Sequence, residues 1–241
     1  MQMDTRVFPD LDALSRAAAD EAFRVMQSAI AERGRFAIAL AGGHTPSKMY
    51  ALWARDQRHH EETRWDRVHL FWGDERYVTP DDPLSNYRMT KETLLAHVPI
   101  PTANVHPMPT EIAPPDKAAA AYEADLRQFF GQDPPEFDLQ LLGLGVEGHI
   151  ASLFPGSPVL EEKRAWVAAV AAPAEPPLRL TLTPVVLNRA RNTFFLVAGE
   201  NKRAILAALR NEPEGKPSQY PAGRIRPSGP VVWFLDQLAA N

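Results

Sequence analysis

The sequence predicts an α/β fold in which helices flank a mostly parallel, modified Rossmann-like sheet. Apolar strand-like segments alternate with amphipathic helical segments along the 241 residues, which is the pattern of parallel βα units. Glycine-rich polar motifs stand directly after several strand-like segments, where an open sheet of this class places its ligand. No repeat of fixed period and no long linker divides the chain, so we expect one domain over residues 1–241.

The elements of the first half follow from periodicity and from turn residues. Apolar side chains from Leu11 to Ile30 recur at helical spacing behind Asp10, a predicted N-cap. RGRFAIALAGG (33–43) then indicates a glycine turn that enters a buried strand. By the same criteria the sequence predicts helices in HTPSKMYALWAR (44–55), LSNYRMTKETLLAHV (84–98) and DKAAAAYEADLRQFF (116–130), and strands in RVHLFWGDE (67–75) and FDLQLLGLG (137–145).

The second half continues the alternation. After the apolar segments AWVAAVAA (165–172) and RLTLT (179–183), the sequence predicts the helix PVVLNRA (184–190), the strand NTFFLVAG (192–199), the helix NKRAILAALR (201–210) and the closing strand PVVWFLD (230–236). Two proline-rich stretches, 108–115 and 211–230, are short enough to be surface loops.

Composition narrows the class of protein. Hydrophobic residues make up 45% of the chain and charged residues 23%, as in an ordinary globular protein. The acidic start does not resemble a signal peptide, and no apolar run approaches the roughly 18 residues of a membrane span. We therefore expect a soluble, cytoplasmic protein without a membrane partner. A net charge of -4 without a dense basic region argues against nucleic-acid binding. Without cysteine there are no disulfides, thiolate metal sites or cysteine nucleophiles.

The first motif with chemical content is LAGGHTPSKMY (40–50), which follows a predicted strand. Gly42 and Gly43 allow a tight turn, Thr45 is a predicted helix cap and Pro46 suits the first helical position. A helix start with free amide groups favours a phosphate. The alternative is an ordinary strand-to-helix turn, and the role of His44 within it stays open.

The second motif is LFWGDERYV (70–78), in which an apolar strand ends in consecutive charges that include Asp74 and Arg76. Charges at the carboxyl end of a strand lie either in a ligand site or in a solvated turn. Arg76 has the planar set of donors that holds a phosphate or a carbonyl oxygen.

A polar segment, SNYRM (85–89), follows this motif along the chain. Ser85 is most simply a helix cap. Asn86 and Arg88 are candidate ligand contacts, with an exposed helix surface as the alternative.

The third motif, LLGLGVEGHIASLFPG (141–156), is the most informative. Its glycines let the chain turn sharply beyond a strand and bring His149 to the end of the sheet, with Glu147 close enough to orient the imidazole. Because histidine titrates near neutral pH, a neutral His149 can accept a proton from water. The remaining histidines lack a further ligand at metal spacing or lie in structural positions, and we predict no metal site: His59, His60, His69, His97 and His106.

Two further cations stand near predicted strands, Arg179 in RLTLT and Lys202 after NTFFLVAG. Each is either a ligand contact or an ordinary surface charge. Serine-hydrolase chemistry is poorly supported, because the sequence has no G-x-S-x-G elbow and Ser152 has no evident base partner.

Together these motifs resemble the 6-phosphogluconolactonase family. LAGGHTPSKMY, FWGDERYVTPDDPLSNYRM, LLGLGVEGHIASLFPG, RLTLTPVVLNRARNTFFLVAG with Lys202, and PVVWFLD occur in family order over most of the chain. The resemblance implies the fold shared with glucosamine-6-phosphate deaminases and ribose-5-phosphate isomerases. It also implies hydrolysis of 6-phospho-D-glucono-1,5-lactone to 6-phospho-D-gluconate in the oxidative pentose phosphate pathway, without a required metal or organic cofactor, by a monomer or small homo-oligomer.

The resemblance also implies roles for individual residues. His149 is the base that activates water, with Glu147 beside it, and Arg76 assists at the lactone or its oxyanion. The residues expected to contact the substrate are Gly42, Gly43, His44, Thr45, Asp74, Asn86, Arg179 and Lys202. Which cation binds the phosphate and which the lactone carbonyl stays open.

The sequence departs from the family pattern at two positions. Glu147 stands where the family commonly has Asp, and His44 occupies a position that often holds a smaller or a basic residue. The departure at Glu147 affects how the carboxylate orients His149, and the departure at His44 affects the contact with the phosphate.

Two rival functions remain. Amino-sugar-phosphate deaminases and isomerases resemble this chain, but they carry an acid where Phe154 stands and DEY where this sequence has DER with Arg76. A non-catalytic sugar-phosphate-binding module predicts a dispensable His149 and a fused DNA-binding segment, for which we expect no room before the first strand.

Overall fold

A computed structural model describes residues 4–213 and 217–241. The strands are β1 (Asp4–Phe8), β2 (Phe36–Leu40), β3 (Val68–Trp72), β4 (Asp74–Arg76), β5 (Val105–His106), β6 (Leu139–Leu142), β7 (Val167–Ala171), β8 (Leu178–Leu182), β9 (Thr193–Val197) and β10 (Val231–Asp236). The α-helices are α1 (Leu11–Arg33), α2 (His44–Arg55), α3 (Gln57–Glu62), α4 (Asn86–Thr93), α5 (Pro115–Phe130), α6 (Pro184–Leu187), α7 (Arg203–Arg210), α8 (Pro221–Arg224) and α9 (Gln237–Ala240). Short 3₁₀ helices cover Trp65–Arg67, Leu95–His97, Thr102–Asn104, Pro158–Glu161 and Glu200–Lys202.

The main sheet confirms the predicted α/β fold. Its seven strands run in the order β1-β10-β9-β6-β2-β3-β5, and every pairing is parallel. All residues of β2, β6 and β9 are buried, because helices cover both faces of the central strands. Continuous apolar runs rather than alternating ones are therefore the correct strand signal here.

A second, smaller sheet was not predicted. Strands β4, β8 and β7 pair antiparallel and form a separate three-stranded sheet. The chain changes sheets at Gly73, whose N–H donates to the Leu40 carbonyl (2.8 Å) and whose carbonyl accepts from the Leu182 N–H (2.8 Å). Only Gly73 separates β3 from β4. The charged residues that follow β3 therefore belong to the small sheet and not to the main one.

Several element boundaries differ from the predictions. Asp10 caps α1 as predicted, and its side chain accepts from the Ala13 N–H (2.8 Å). The predicted helix over 84–98 is shorter, with α4 followed by a 3₁₀ turn. Strand β1 was not predicted, because it is a short edge strand with two charged residues among its five.

Within the described residues, none of the helices is both long and apolar enough to cross a membrane.

Candidate active site

A cavity of about 680 Å³ opens at the carboxyl ends of β2, β3, β6, β9 and β10. It gathers all the site residues that the family resemblance implies: Gly42, Gly43, His44, Thr45, Asp74, Arg76, Asn86, Glu147, His149, Arg179 and Lys202. Arg88 does not line this cavity; its guanidinium bonds Glu92 (2.8 Å) and the Asp81 carbonyl (2.8 Å) instead. The motifs that follow separate strands therefore meet in one place, as a parallel sheet requires.

The glycines of the His149 loop are needed for close packing around the ring. A Cβ on Gly145 would lie 1.9 Å from His149 Nδ1, so only glycine leaves room for the imidazole. Gly148 has φ 85, and a Cβ there would lie 2.8 Å from Tyr220 Cβ. The Gly148 carbonyl accepts from the Ala222 N–H (3.0 Å). The loop is thus held by the ring on one side and by the 220–222 segment on the other.

His149 and Glu147 lie side by side in the cavity wall. Glu147 Oε1 lies 2.9 Å from His149 Nδ1. His149 Nδ1 is buried, and apart from this carboxylate contact it has no partner in the described chain. Partial burial opposes ionisation of Glu147, but its own backbone N–H, the His149 ring and Lys202 outweigh burial and lower the pKa of Glu147. Glu147 is therefore an anion beside the imidazole at neutral pH.

The ring of His149 also packs against an aromatic side chain. The centroids of His149 and Phe154 are 4.7 Å apart, with the ring planes tilted by 40°. Phe154 covers the imidazole with an apolar surface.

The glycine turn before α2 differs from the predicted capping. The helix begins at His44, its N-cap is Gly43 with φ 101, and no side chain caps it. The prediction of Thr45 as cap and Pro46 as first helical residue is therefore wrong: both lie inside the first turn. Since a helix start leaves amide groups without intrahelical partners, this uncapped start can offer N–H donors to an anion in the cavity.

Asn86 fixes the glycine turn from the opposite side. Its Nδ2 donates to the Asp74 carbonyl (2.9 Å). A Cβ on Gly42 would lie 1.9 Å from Asn86 Oδ1, so the turn can approach the amide only as glycine. Asn86 is 1% exposed and combines this packing role with a position at the cavity wall.

Glu75 supports the cavity wall from behind, a role that the sequence analysis did not predict. Its carboxylate accepts from the N–H groups of Arg76, Asn86 and Tyr87, each at 2.7 Å. Burial raises the pKa of Glu75 to about 7 even though these amides favour its charged form. Glu75 ties β4, which carries Arg76, to the start of α4. The predicted cap Ser85 is confirmed, since its Oγ accepts from the Arg88 N–H (3.1 Å).

Arg76 and Arg179 lie opposite each other across β4 and β8. Their guanidinium groups donate to backbone carbonyls, Arg76 to Leu84 (2.7 Å) and Arg179 to Glu175 (3.4 Å). Among the described residues, no acid forms an ion pair with either, and Arg179 Nε is buried without a partner. Burial and then Arg76 lower the pKa of Arg179, and nearby acids offset only part of that effect. Two adjacent cations with unused donors are able to bind an anion.

Lys202 completes the cationic lining. It ends the 3₁₀ turn that starts after Gly199, where φ is 99. Both carboxylate oxygens of Asp236 accept from the Gly199 N–H, at 3.0 and 3.1 Å, and hold this turn against the end of β10. Burial lowers the pKa of Lys202, and the charge of Glu147 partly opposes that shift.

The other histidines lie outside the cavity lining, apart from His44. His59 is buried with its Nε2 2.9 Å from Asp20, and His106 contacts His69 and Asp125. His97 bonds the Glu92 carbonyl (3.0 Å). In the part of the chain that the structure describes, no group of three or more His, Cys, Asp or Glu side chains is arranged to hold a metal ion.

Comparisons with known proteins agree with the predicted resemblance. A family profile described as glucosamine-6-phosphate isomerases/6-phosphogluconolactonase matches residues 9–233. A curated 6-phosphogluconolactonase of Synechocystis sp. is 47% identical over 216 residues, which cover 88% of this chain and 87% of that protein. The solved 6-phosphogluconolactonase of Trypanosoma cruzi has a TM-score of 0.86 and 29% identity over 99% of this chain and 96% of its own. A monomeric glucosamine-6-phosphate deaminase has a TM-score of 0.81 at 22% identity, covering 99% of both chains, and shares the fold.

Proposed function

Because the chain belongs to the glucosamine-6-phosphate isomerase and 6-phosphogluconolactonase family, we propose that it hydrolyses 6-phospho-D-glucono-1,5-lactone to 6-phospho-D-gluconate. The observation that carries the proposal is the content of the cavity. A histidine beside an ionised carboxylate faces the same space as three cations that lack an ion-pair partner in the described chain: Arg76, Arg179 and Lys202. A proton acceptor and an anion site are the two parts that hydrolysis of a phosphorylated ester requires.

The cations and the glycine turn account for substrate binding. Arg179, Lys202 and the uncapped start of α2 at Gly43 offer positive charge and free N–H donors to the phosphate and to the lactone oxygens. Asp74 and Asn86 line the same cavity, and we include them among the residues that contact the substrate.

His149 acts as the general base in the proposed reaction. Its Nδ1 is buried beside Glu147, so Nε2 is the nitrogen that takes the proton from water as the water attacks C1. Arg76 stabilises the oxyanion that forms. The protonated imidazole then returns its proton to the departing ring oxygen, and no covalent intermediate is needed. Glu147 stabilises the imidazolium during this step.

The location of the reaction is part of the same proposal. We assign the hydrolysis to the oxidative pentose phosphate pathway and place it in the cytoplasm. The absence of cysteine fits a reducing compartment.

The central test replaces the base. His149→Asn is expected to lower kcat for freshly prepared lactone by about 10²- to 10⁴-fold, which is the usual contribution of a positioned base, while the circular dichroism spectrum stays unchanged. The spontaneous hydrolysis rate is subtracted. Activity of the variant within a few-fold of the wild type would overturn the assignment of His149 as base. Release of ammonia from glucosamine 6-phosphate by the wild type, in place of lactone hydrolysis, would overturn the proposed reaction.

A further inference from the structure

The turn that follows His149 has an unusual backbone. Ala151 has φ 45, a left-handed conformation that alanine rarely adopts. The turn closes through the Leu153 N–H, which donates to the Ile150 carbonyl (2.8 Å). A strained residue persists only where its surroundings hold it in place. Contacts on either side of Ala151 must therefore fix this turn, and with it the base two residues earlier.

Ser152 supplies those contacts. Its Oγ donates to Asp74 Oδ2 (2.7 Å), and its N–H donates to Thr181 Oγ1 (3.2 Å). Ser152 is 1% exposed, so both bonds are shielded from water. Asp74 and Thr181 face each other across the two antiparallel strands that also carry Arg76 and Arg179. Ser152 thus joins the loop of the base to the sheet of the two arginines.

We propose that Ser152, anchored by Asp74, is a positioning residue that sets the place of His149 relative to the arginine pair. Its kinetic consequences rest on the proposed lactone hydrolysis. A hydrogen bond to a carboxylate is among the stronger ones in proteins, and a displacement of about 1 Å in a catalytic group can lower a rate by about 100-fold. Because the hydroxyl is buried and already donates to Asp74, it holds the loop and does not attack the substrate.

The test compares two serines of the same loop. Ser152→Ala removes the anchor, and Ser157→Ala is the matched control, because no side-chain bond of Ser157 holds the turn beside it. We expect Ser152→Ala to lower kcat by about 10- to 100-fold while KM stays within about threefold. The control keeps wild-type kinetics. The kcat of Ser152→Cys is expected to lie between those of Ser152→Ala and the wild type, because cysteine is similar in size to serine but is a weaker hydrogen-bond donor.

Rescue distinguishes positioning from a general loss of structure. Adding Ala151→Gly to Ser152→Ala removes the backbone strain that pulls the turn away from its native shape. The double variant therefore regains part of the lost kcat. A purely structural defect in the core would not respond to this change.

A readout without substrate keeps this inference separate from the proposed reaction. Amide hydrogen exchange across residues 147–153 is expected to be faster in Ser152→Ala, unchanged in Ser157→Ala and slower again in the double variant. Three results would overturn the inference: unchanged exchange and kcat in Ser152→Ala, a raised KM at constant kcat, or a covalent acyl group on Ser152. If the wild type does not hydrolyse the lactone but the exchange pattern holds, the proposed reaction fails and the positioning role stands.

Discussion

Two pairs of arginines lie at opposite ends of the main sheet, and their surroundings differ. Arg33 and Arg191 are near the amino end of β6, where Asp138 precedes the strand. Asp138 Oδ1 lies 2.9 Å from Arg33 Nε and 3.7 Å from Arg191 Nε, and Glu32 and Glu136 contact the same two guanidinium groups. At the carboxyl end, the guanidinium groups of Arg76 and Arg179 donate to backbone carbonyls, and neither forms an ion pair with an acid among the described residues.

The pKa values of Arg33 and Arg179, one from each pair, shift in opposite directions, as their surroundings predict. Partial burial opposes the charge of Arg33, but Asp138 and Glu32 outweigh it and raise the pKa of Arg33. Burial and Arg76 lower the pKa of Arg179. A buried cation that lacks a partner reduces stability, so its presence requires another explanation. The ion pairs of Arg33 and Arg191 stabilise the fold, whereas the proposed substrate would supply the negative charge that Arg76 and Arg179 lack among the described residues.

The largest expected difference between the two ends of the sheet is in how substitutions there change the free energy of unfolding. Asp138→Ala removes the partner of Arg33 and also the acceptor of the Ala37 N–H (2.8 Å). We expect it to lower the free energy of unfolding by about 2 kcal/mol, as for other losses of a buried acceptor. Arg179→Ala, by contrast, relieves a like-charge contact and leaves the free energy of unfolding unchanged or higher.

Urea denaturation of the two variants checks this prediction. Destabilisation of similar size in both would show that Arg179 supports the fold as Asp138 does, and the contrast between the two ends would be lost.

A smaller effect is expected at Glu147, which among the described residues is the acid in contact with the proposed base His149. Glu147→Gln keeps the shape of the side chain but removes the charge that stabilises the protonated ring of His149. We expect kcat to fall by about 3- to 10-fold, corresponding to a surface-type charge interaction of about 1 kcal/mol.

Glu147→Asp is the matched control, since it keeps the charge and restores the residue common in the family. It should retain most of the activity. Normal turnover in Glu147→Gln would remove this carboxylate from the proposed mechanism and leave His149 as the proposed base.

Much of the fold was predictable because its signals are local. Continuous apolar runs predicted the buried parallel strands, and motifs placed after strands predicted where the site lies. The small sheet was not predictable in this way, since the pairing of β4 with β8 joins residues about a hundred positions apart in the chain. Strand β1 escaped notice because an edge strand needs little hydrophobicity.

The sequence indicated which residues line the cavity but not the contacts between them. Glu75 looks like part of a solvated charge cluster, and only the folded chain brings its carboxylate to the amides of α4. Ser152 and Asp74 bond across 78 positions of sequence, which no local pattern signals. The Thr45 cap was a wrong prediction because Gly43, with its positive φ, already turns the chain into the helix.

The most direct test of the difference between the two ends of the sheet measures which anion Arg179 and Lys202 bind at the carboxyl end. At equal concentrations, 6-phosphogluconate and inorganic phosphate should raise the thermal unfolding midpoint of the wild type, and gluconate should raise it far less, because only ligands that bind the folded state stabilise it. Arg179→Ala and Lys202→Ala should each lose most of this difference, and Arg191→Ala should keep it. Equal protection by 6-phosphogluconate and gluconate, or an equal loss in Arg191→Ala, would contradict the account.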